Sequence, residues 1–277
     1  MTLRFLWITF LICAASVAQE TGDKLKVSFR DPSRPGTVRL SLINGSIIVK
    51  GHAGPEVIVE SVPSSRRRSR DNDDEAPGKG EASGLKRILA PSSGLSVEEE
   101  NNVMRIDAQT HRRAADISLQ VPFKTSLKLH CVNGGNILVE NVQGEIEADN
   151  VNGHVTLTNV AGSVVAHALN GNLTATLREV DAGKPMSFSS LNGKIDVTLP
   201  ASMKANLNLN SGRGEIYSDF DVTVGVTPPK VEESKEEGGK GRYRVKTGQG
   251  AVGKVNGGGQ EITFKNMNGN IYIRKGK

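Results

Sequence analysis

The chain has 277 residues, of which 36% are hydrophobic and only 4% aromatic, and its formal net charge is +5. So few large rings argue against a round globular core, because a thin core of Val, Ile, Leu and Ala is typical of repeat architectures. The basic run at 66–70 is followed at once by an acidic run at 71–75. Their fields largely cancel beyond a Debye length of roughly 8 Å, which argues against nucleic acid as a partner.

The first 18 residues have the pattern of a secretory signal peptide. Arg4 precedes an apolar stretch at 5–15, and small residues at Ser16 and Ala18 predict cleavage before Gln19. A lipoprotein site at Cys13 is the alternative, although such sites usually carry a small residue where this chain has Ile12. We therefore expect an exported protein, periplasmic or extracellular and cell-surface, without an integral membrane segment after cleavage.

Composition divides the remaining chain into strand-rich parts and two irregular parts. We expect N-terminal strands at 19–62, a disordered loop at 63–94 and the main β domain at 95–277, with a flexible insertion at about 225–242. The irregular parts are rich in Ser, Arg, Asp, Glu, Lys and Gly and lack hydrophobic periodicity. The prediction is a single domain with two disordered loop insertions.

A nine-residue repeat is the strongest signal in the sequence. Each copy has an apolar residue two positions before a glycine and another two positions after it; the copies are VQGEI at 142–146, VNGHV at 151–155, VAGSV at 160–164 and LNGNL at 169–173. A fixed period with glycine at one phase predicts one backbone unit stacked on copies of itself. The repeat therefore favours a parallel β-solenoid, a right-handed β-helix or β-roll.

Alternation within each copy predicts which side chains face the core. The residues two and four positions after glycine are apolar, whereas those one and three positions after it are mostly polar, as in a half-buried strand. Glycine at the corner would supply a positive φ. Because Asn-Gly is also the strongest hairpin signal, an antiparallel meander remains the competing fold.

A longer repeat of 78 residues is superimposed on the short one. Pro122 corresponds to Pro200, and the alternating apolar residues that follow Pro122 include Cys131, which corresponds to Leu209. The two prolines are therefore predicted to mark equivalent strand ends. Cys131 is predicted to face the core as an inert small hydrophobe, and as the only cysteine after signal cleavage it cannot form an intrachain disulfide.

These motifs resemble a known family. The run Val121-Pro122, the Asn-Gly repeats, the segment at 214–220 and the terminal MNGNI at 267–271 resemble the bacterial putative-adhesin family of unknown function numbered 4097 (DUF4097-like), which is related to the head GIN β-helix domains. The resemblance covers roughly residues 36–275. It implies a right-handed parallel β-helix or β-roll that is exported or surface-associated, and it brings no catalytic residues.

No constellation in the sequence predicts a catalytic, cofactor-binding or metal site. The five histidines (His52, His111, His130, His154 and His167) lack close metal-ligand spacing, and a solvated surface position is expected for His154 and His167. An acidic row of Glu145, Glu147 and Asp149 is expected on an outer face, but it does not continue in the next repeats. The glycine-rich GQGAVG at 248–253 lacks the βαβ context of a dinucleotide site.

The sequence therefore predicts a non-enzymatic exported protein that acts by contact. It would be an adhesin or cell-envelope scaffold, with an envelope or extracellular polymer or a surface protein as partner, and self-association through open end strands is possible. One alternative is a polysaccharide-acting β-helix enzyme, which would need a convergent acidic pair in a groove. The other is a periplasmic sensory or regulatory domain.

Overall fold

The computed structural model describes residues 23–63, 95–108, 115–226, 230–234, 242–246 and 250–277. These residues form an all-β structure. The strands are β1 (Asp23–Ser28), β2 (Gly36–Asn44), β3 (Ile47–His52), β4 (Glu56–Pro63), β5 (Leu95–Glu100), β6 (Val103–Ala108), β7 (Ala115–Pro122), β8 (Thr125–Asn133), β9 (Ile137–Glu140), β10 (Gln143–Asn152), β11 (Val155–Asn170), β12 (Leu173–Val180), β13 (Met186–Asn192), β14 (Ile195–Leu199), β15 (Ala205–Ser211), β16 (Ile216–Ser218), β17 (Thr223–Val226), β18 (Lys230–Ser234), β19 (Arg242–Lys246), β20 (Gly250–Val255), β21 (Gln260–Asn268) and β22 (Ile271–Lys275).

All strands except β18 and β19 belong to one 20-stranded sheet with two runs of neighbouring strands. We call the first run ladder A, in the order β5-β6-β2-β8-β10-β11-β13-β21-β15-β20-β17. The second, ladder B, has the order β1-β4-β7-β3-β9-β11-β12-β14-β22-β16. The 16-residue strand β11 belongs to both, because its two halves pair with different neighbours.

The predicted alternation of side chains is confirmed. The inward positions of the four repeats are all buried, and they are Ile146, Ala148, Val155, Leu157, Val164, Ala166, Leu173 and Ala175. In the parallel pair β10–β11, residue 143 lies beside residue 161, so neighbouring strands are offset by 18 residues, or two repeats. Pro122 ends β7, and Pro200 directly follows β14, as the 78-residue correspondence predicts.

The prediction of a parallel β-solenoid, a right-handed β-helix or β-roll, is wrong. The sheet is mixed and nearly closed on itself, with antiparallel pairs β1–β4, β4–β7, β5–β6, β15–β20 and β17–β20. Its neighbours also do not follow chain order, because β21 lies between β13 and β15, and β22 lies between β14 and β16. The antiparallel meander is not observed either, because the middle of the sheet is parallel.

Local turn chemistry explains one of the antiparallel pairs. Asn101 and Asn102, which connect β5 and β6, both have positive φ, at 53° and 62°. Two consecutive residues with positive φ give the tight turn that matches the twist of a β-hairpin, and asparagine adopts this conformation more readily than most residues. Asn102 also holds this hairpin to the preceding chain, because its Nδ2 donates to the carbonyl of Asp31 at 2.7 Å.

The core is a single cluster of small and branched aliphatic side chains enclosed by the two ladders. The largest fully buried side chains are Phe188 and Phe264, whose rings stack with centroids 5.3 Å apart on neighbouring strands β13 and β21. This stack anchors the C-terminal strand β21 in the middle of ladder A. The thin core that the composition predicts is therefore confirmed, and its two largest fully buried rings lie where the chain order is broken.

Several predicted segments lie outside the described residues. They are the signal peptide at 1–18, nearly all of the loop predicted at 63–94, and His111. The insertion predicted at about 225–242 is described only in part, and the described part contains β18, which pairs with β19 in a separate two-stranded sheet. The disorder of these segments stays a prediction.

Candidate binding face

The repeated glycines at the corners have two causes, and the predicted positive φ is one of them: Gly45, Gly193 and Gly269 have φ of 126°, 154° and 146°. Gly153 and Gly171 are not among the residues with positive φ, although Gly162 is, at 111°. What Gly153 and Gly171 require is space, since a Cβ on Gly153 would lie 2.0 Å from the carbonyl oxygen of Gly135. A Cβ on Gly171 would meet the carbonyl oxygen of Gly153 at the same distance. The corner glycines therefore stack in direct backbone contact.

A ladder of asparagine side chains runs along these corners. Asn152 donates to Asn133 at 3.4 Å, Asn170 to Asn152 at 3.0 Å, Asn192 to Asn170 at 2.7 Å and Asn268 to Asn192 at 2.8 Å. We call Asn133, Asn152, Asn170, Asn192 and Asn268 the asparagine ladder. An amide side chain both donates and accepts, so identical residues can continue the chain of hydrogen bonds from strand to strand.

A second set of hydrogen bonds reaches the corners from inside. The side chains of Asn150, Ser190, Asn266 and Cys131 each donate to the carbonyl of a corner glycine, at 2.9, 3.2, 2.8 and 3.2 Å. We call these four residues the inner donors. Cys131 is fully buried, as predicted, and burial raises the pKa of its thiol. The sequence pattern predicts only an apolar role for Cys131 and does not predict that its S–H donates to the carbonyl of Gly45.

The outer face of ladder A carries two parallel rows of side chains in register. The first outer row is Arg105, Arg39, Lys128, Glu147, Val165, Ser187, Thr263 and Asn208. The second outer row is Asp107, Ser41, His130, Asp149, His167, Ser189, Lys265 and Asn210. The first row changes from charged residues at the β6 end to hydroxyl and amide groups at the β15 end, whereas the second row is polar throughout and keeps the charged Lys265 near the β15 end. We call them together the binding face.

An exposed aliphatic stripe borders this face beside the asparagine ladder. It consists of the residues two positions before the corner glycines or their equivalents: Ile43, Val132, Val151, Leu169, Leu191 and Met267. Ile43, Leu191 and Met267 are 40%, 37% and 48% exposed. Six strands at a spacing of about 4.8 Å make the stripe roughly 24 Å long. Val132, Val151 and Leu169 are half-buried, so the stripe is most exposed at its two ends. Exposed apolar side chains grouped on one surface are characteristic of contact surfaces.

Glu145, Glu147 and Asp149 lie on the outer surface, as expected, and each has a basic partner. Glu145 accepts from Lys184 at 2.5 Å, Glu147 from Lys128 at 2.8 Å, and Asp149 lies 3.2 Å from the Nδ1 of His130. Hydrogen bonding to Glu145 raises the pKa of Lys184. Glu147 and Asp149 line a shallow depression of about 270 Å³ together with Arg39, Arg105, Lys128 and His130.

The structure gives the described histidines structural contacts beyond a solvated surface position. The Nδ1 of His154 accepts the backbone N–H of Asn172 at 2.9 Å, so this side chain caps the next corner. His167 lies in the second outer row, with its Nδ1 2.8 Å from the Oγ of Ser189. The Nε2 of His52 lies 2.8 Å from the carbonyl oxygen of Glu56. In the part of the chain that the structure describes, no cluster of three or more His, Cys, Asp or Glu residues could hold a metal.

The outer face of ladder B has its own cluster near the C-terminus. The rings of Tyr217 and Tyr272 stack with centroids 5.2 Å apart, and the guanidinium of Arg274 lies 5.4 Å from the Tyr272 ring. Arg274 donates two hydrogen bonds to Asp196, at 2.7 and 3.2 Å. Tyr217 donates to Glu215, which raises the pKa of its hydroxyl. The sequence analysis missed this cluster, because its strands are not consecutive in the chain.

Among the described residues, the structure contains no helix with the length and apolar character needed to cross a membrane.

Comparisons with known proteins give distant structural similarity only. No family model and no curated protein matches the chain, so the family number 4097 stays a prediction. The chain is similar to a solved putative adhesin from Bacteroides fragilis (10% identity, TM-score 0.40, covering 93% of this chain and 98% of that one). It is also similar to a putative cell adhesion protein from Clostridium sporogenes (11%, 0.38, 92% and 100%) and a putative lipid binding protein from Parabacteroides distasonis (10%, 0.31, 93% and 98%).

Proposed function

We propose that this protein is an exported, non-enzymatic adhesin or cell-envelope binding protein that holds an extended polysaccharide on the binding face. One observation carries the proposal: polar outer rows and an exposed aliphatic stripe lie side by side along the same strands. A sugar chain presents both hydroxyl edges and apolar C–H faces, so it can use both surfaces at once. Binding that depends on many shallow contacts suits a flat sheet better than an enclosed pocket.

The hydroxyl and amide half of the face supplies the polar contacts. Ser187, Thr263 and Asn208 are neighbours in the first outer row, on β13, β21 and β15. Leu191 and Met267 of the aliphatic stripe lie on two of these strands and are partly exposed. The aliphatic stripe runs parallel to the outer rows, about 13 Å along each strand from the first row and about 7 Å from the second. An extended ligand lying across the strands would therefore follow the polar rows with one edge and reach the stripe with the other.

A matched pair of double variants tests the proposal. We expect Ser187→Ala with Thr263→Val to weaken binding to a polysaccharide found on an array, dextran or hyaluronan included, by about tenfold, because two hydrogen bonds are worth about 1.4 kcal/mol together. Thr156→Ala with Thr174→Val, neighbours on the outer face of ladder B, is the control. Equal losses in both double variants, or no binding to any polysaccharide, would contradict the proposal.

A polysaccharide-acting enzyme is the second candidate, because Glu147 and Asp149 line the same depression. Each carboxylate already has a partner on β8, because Glu147 forms an ion pair with Lys128 and Asp149 lies within hydrogen-bond distance of His130. These partners argue against a free acid and base. We expect chromatography to find no shortened chains after incubation with any polysaccharide that binds. Cleavage that Glu147→Gln or Asp149→Asn abolishes would establish the enzyme instead.

A further inference from the structure

We infer that the β6 end of the binding face is a cradle for one isolated anionic group of an acidic polysaccharide. The inference rests on the proposed function and names the class of glycan. Arg105, Arg39 and Lys128 lie on the adjacent strands β6, β2 and β8, with their side chains opposite one another in register. All three are exposed, and all three line the depression.

Two of these cations form no ion pair with any of the described residues. Lys128 pairs with Glu147, whereas within the described residues neither Arg39 nor Arg105 has an ion pair or side-chain hydrogen bond. Two guanidinium groups on strands about 4.8 Å apart repel each other, and an oxyanion between them would remove that repulsion. A carboxylate or phosphate accepts paired hydrogen bonds from guanidinium groups. The cradle is therefore complementary to such a group in both charge and hydrogen-bond geometry.

Carboxylates lie on both sides of the cradle. Glu98 lies opposite Arg105 on β5, and Glu147 follows Lys128 on β10. Asp107 and Asp149 occupy the second outer row on the same strands as Arg105 and Glu147. The three cations of the cradle are therefore surrounded by four carboxylates. A densely charged polyanion would place most of its charges against these carboxylates, three of which also line the depression. A single anionic group could instead lie between Arg39 and Arg105, which are adjacent in the first outer row.

The charge pattern favours a sparsely charged glycan over other anionic partners. Nucleic acid carries a charge about every 1.7 Å along its axis, and an anionic bilayer presents charge across the whole surface, so both would contact the surrounding carboxylates. A glycan with one carboxylate in every second sugar can place that group in the cradle. Its neutral hydroxyl groups would then reach the remainder of the binding face.

Three polysaccharides and a lipid surface test this inference on the full mature chain. We expect hyaluronan, with one carboxylate per disaccharide, to bind at least about tenfold more tightly than neutral dextran and more tightly than polygalacturonate, which is charged on every sugar. The preference for hyaluronan should fall as salt is raised. Tighter binding of polygalacturonate, or flotation with phosphatidylglycerol vesicles when hyaluronan does not bind, would overturn the assignment.

Charge-neutralising variants locate the site. Arg39→Gln with Arg105→Gln should reduce hyaluronan binding to the level of dextran. Lys50→Gln, which removes a surface cation from the opposite ladder, is the control and should keep the preference. If hyaluronan and dextran bind equally to the unmodified protein, the cradle is refuted while the proposed polysaccharide binding stands. If neither binds and no other polysaccharide on the array binds, the proposed function fails as well.

Discussion

The corners and the outer rows of ladder A are built from the same strands but follow opposite rules. At the corners, strand after strand repeats the same side chain and the same hydrogen bond, as from Asn152 to Asn170 to Asn192. In the first outer row, by contrast, Lys128, Glu147, Val165 and Ser187 occupy successive strands. The contrast indicates that the corners hold the strands together and leave the outer rows free to carry specificity.

The physical reason lies in what each position contacts. A corner residue contacts the backbone of the neighbouring corner. The space and the hydrogen-bonding groups of that neighbouring corner therefore restrict which residue can occupy the position. An outward residue contacts water and one or two side chains, and substitutions there usually change stability by less than about 0.5 kcal/mol. Stability measurements on the two classes of position therefore test whether the corners alone hold the strands together.

The largest effect is expected at a corner glycine. Gly153→Ala would place a methyl group 2.0 Å from the carbonyl oxygen of Gly135, and neither backbone can move without separating β10 from its neighbours. We expect the free energy of unfolding to fall by about 3 kcal/mol or more, measured by urea denaturation.

Gly134 provides the matched control. Its φ is 69°, but a Cβ there would meet no atom within 4 Å, so Gly134→Ala costs only the left-handed backbone conformation, about 1–2 kcal/mol. Similar losses for the two variants would show that backbone conformation, and not close stacking, selects glycine at these corners.

An intermediate effect is expected at the inner donors. Asn150 is fully buried, and its Nδ2 donates to the carbonyls of Gly135 and His154 at 2.9 and 3.2 Å. Asn150→Ala should lower the free energy of unfolding by about 2 kcal/mol, because it leaves a buried carbonyl without a donor. Asn152→Ala, in the exposed asparagine ladder, should cost about half as much, since water can replace its partner. A larger loss for Asn152→Ala than for Asn150→Ala in thermal or urea unfolding would show that the exposed asparagine ladder stabilises the sheet more than the inner donors do.

The sequence predicts the parts of this structure that depend on neighbours within one repeat. Alternation identified the buried rows, and the 78-residue correspondence placed Cys131 in the core. Periodicity could not reveal that β21 inserts between β13 and β15, because that pairing joins residues 76 and 55 positions apart. For the same reason, it missed the stacked Tyr217 and Tyr272.

The candidate site was predictable only in outline. The sequence placed Glu147 and Asp149 outside and assigned specificity to irregular outward residues. It could not pair them with Lys128 and His130, which lie 19 residues earlier and become neighbours only through the strand register. Nor could it align Arg39 with Arg105, because these residues are 66 positions apart and become neighbours only when β6 pairs with the edge of β2.

The smallest effect is expected at Asp196, an outward residue of ladder B with partly buried oxygens. Burial alone would raise the pKa of this carboxyl, but the hydrogen bonds and charge of Arg274, aided by Lys194, outweigh it and lower the pKa. A carboxyl with a lowered folded-state pKa stabilises the fold above its unfolded pKa of about 3.9, and that contribution disappears as the pH falls through the folded value. At neutral pH the pair should contribute no more than about 1 kcal/mol.

Asp196→Asn tests this through the pH dependence of unfolding. The variant should be slightly less stable than the unmodified protein at pH 7, and the difference should vanish in strong acid, where both carry a neutral group at this position. A double-mutant cycle with Arg274→Gln separates the pair from its surroundings. If Asp196→Asn costs as much as Asn150→Ala at neutral pH, outward positions also hold the strands together, and the division between corners and outer rows does not extend to ladder B.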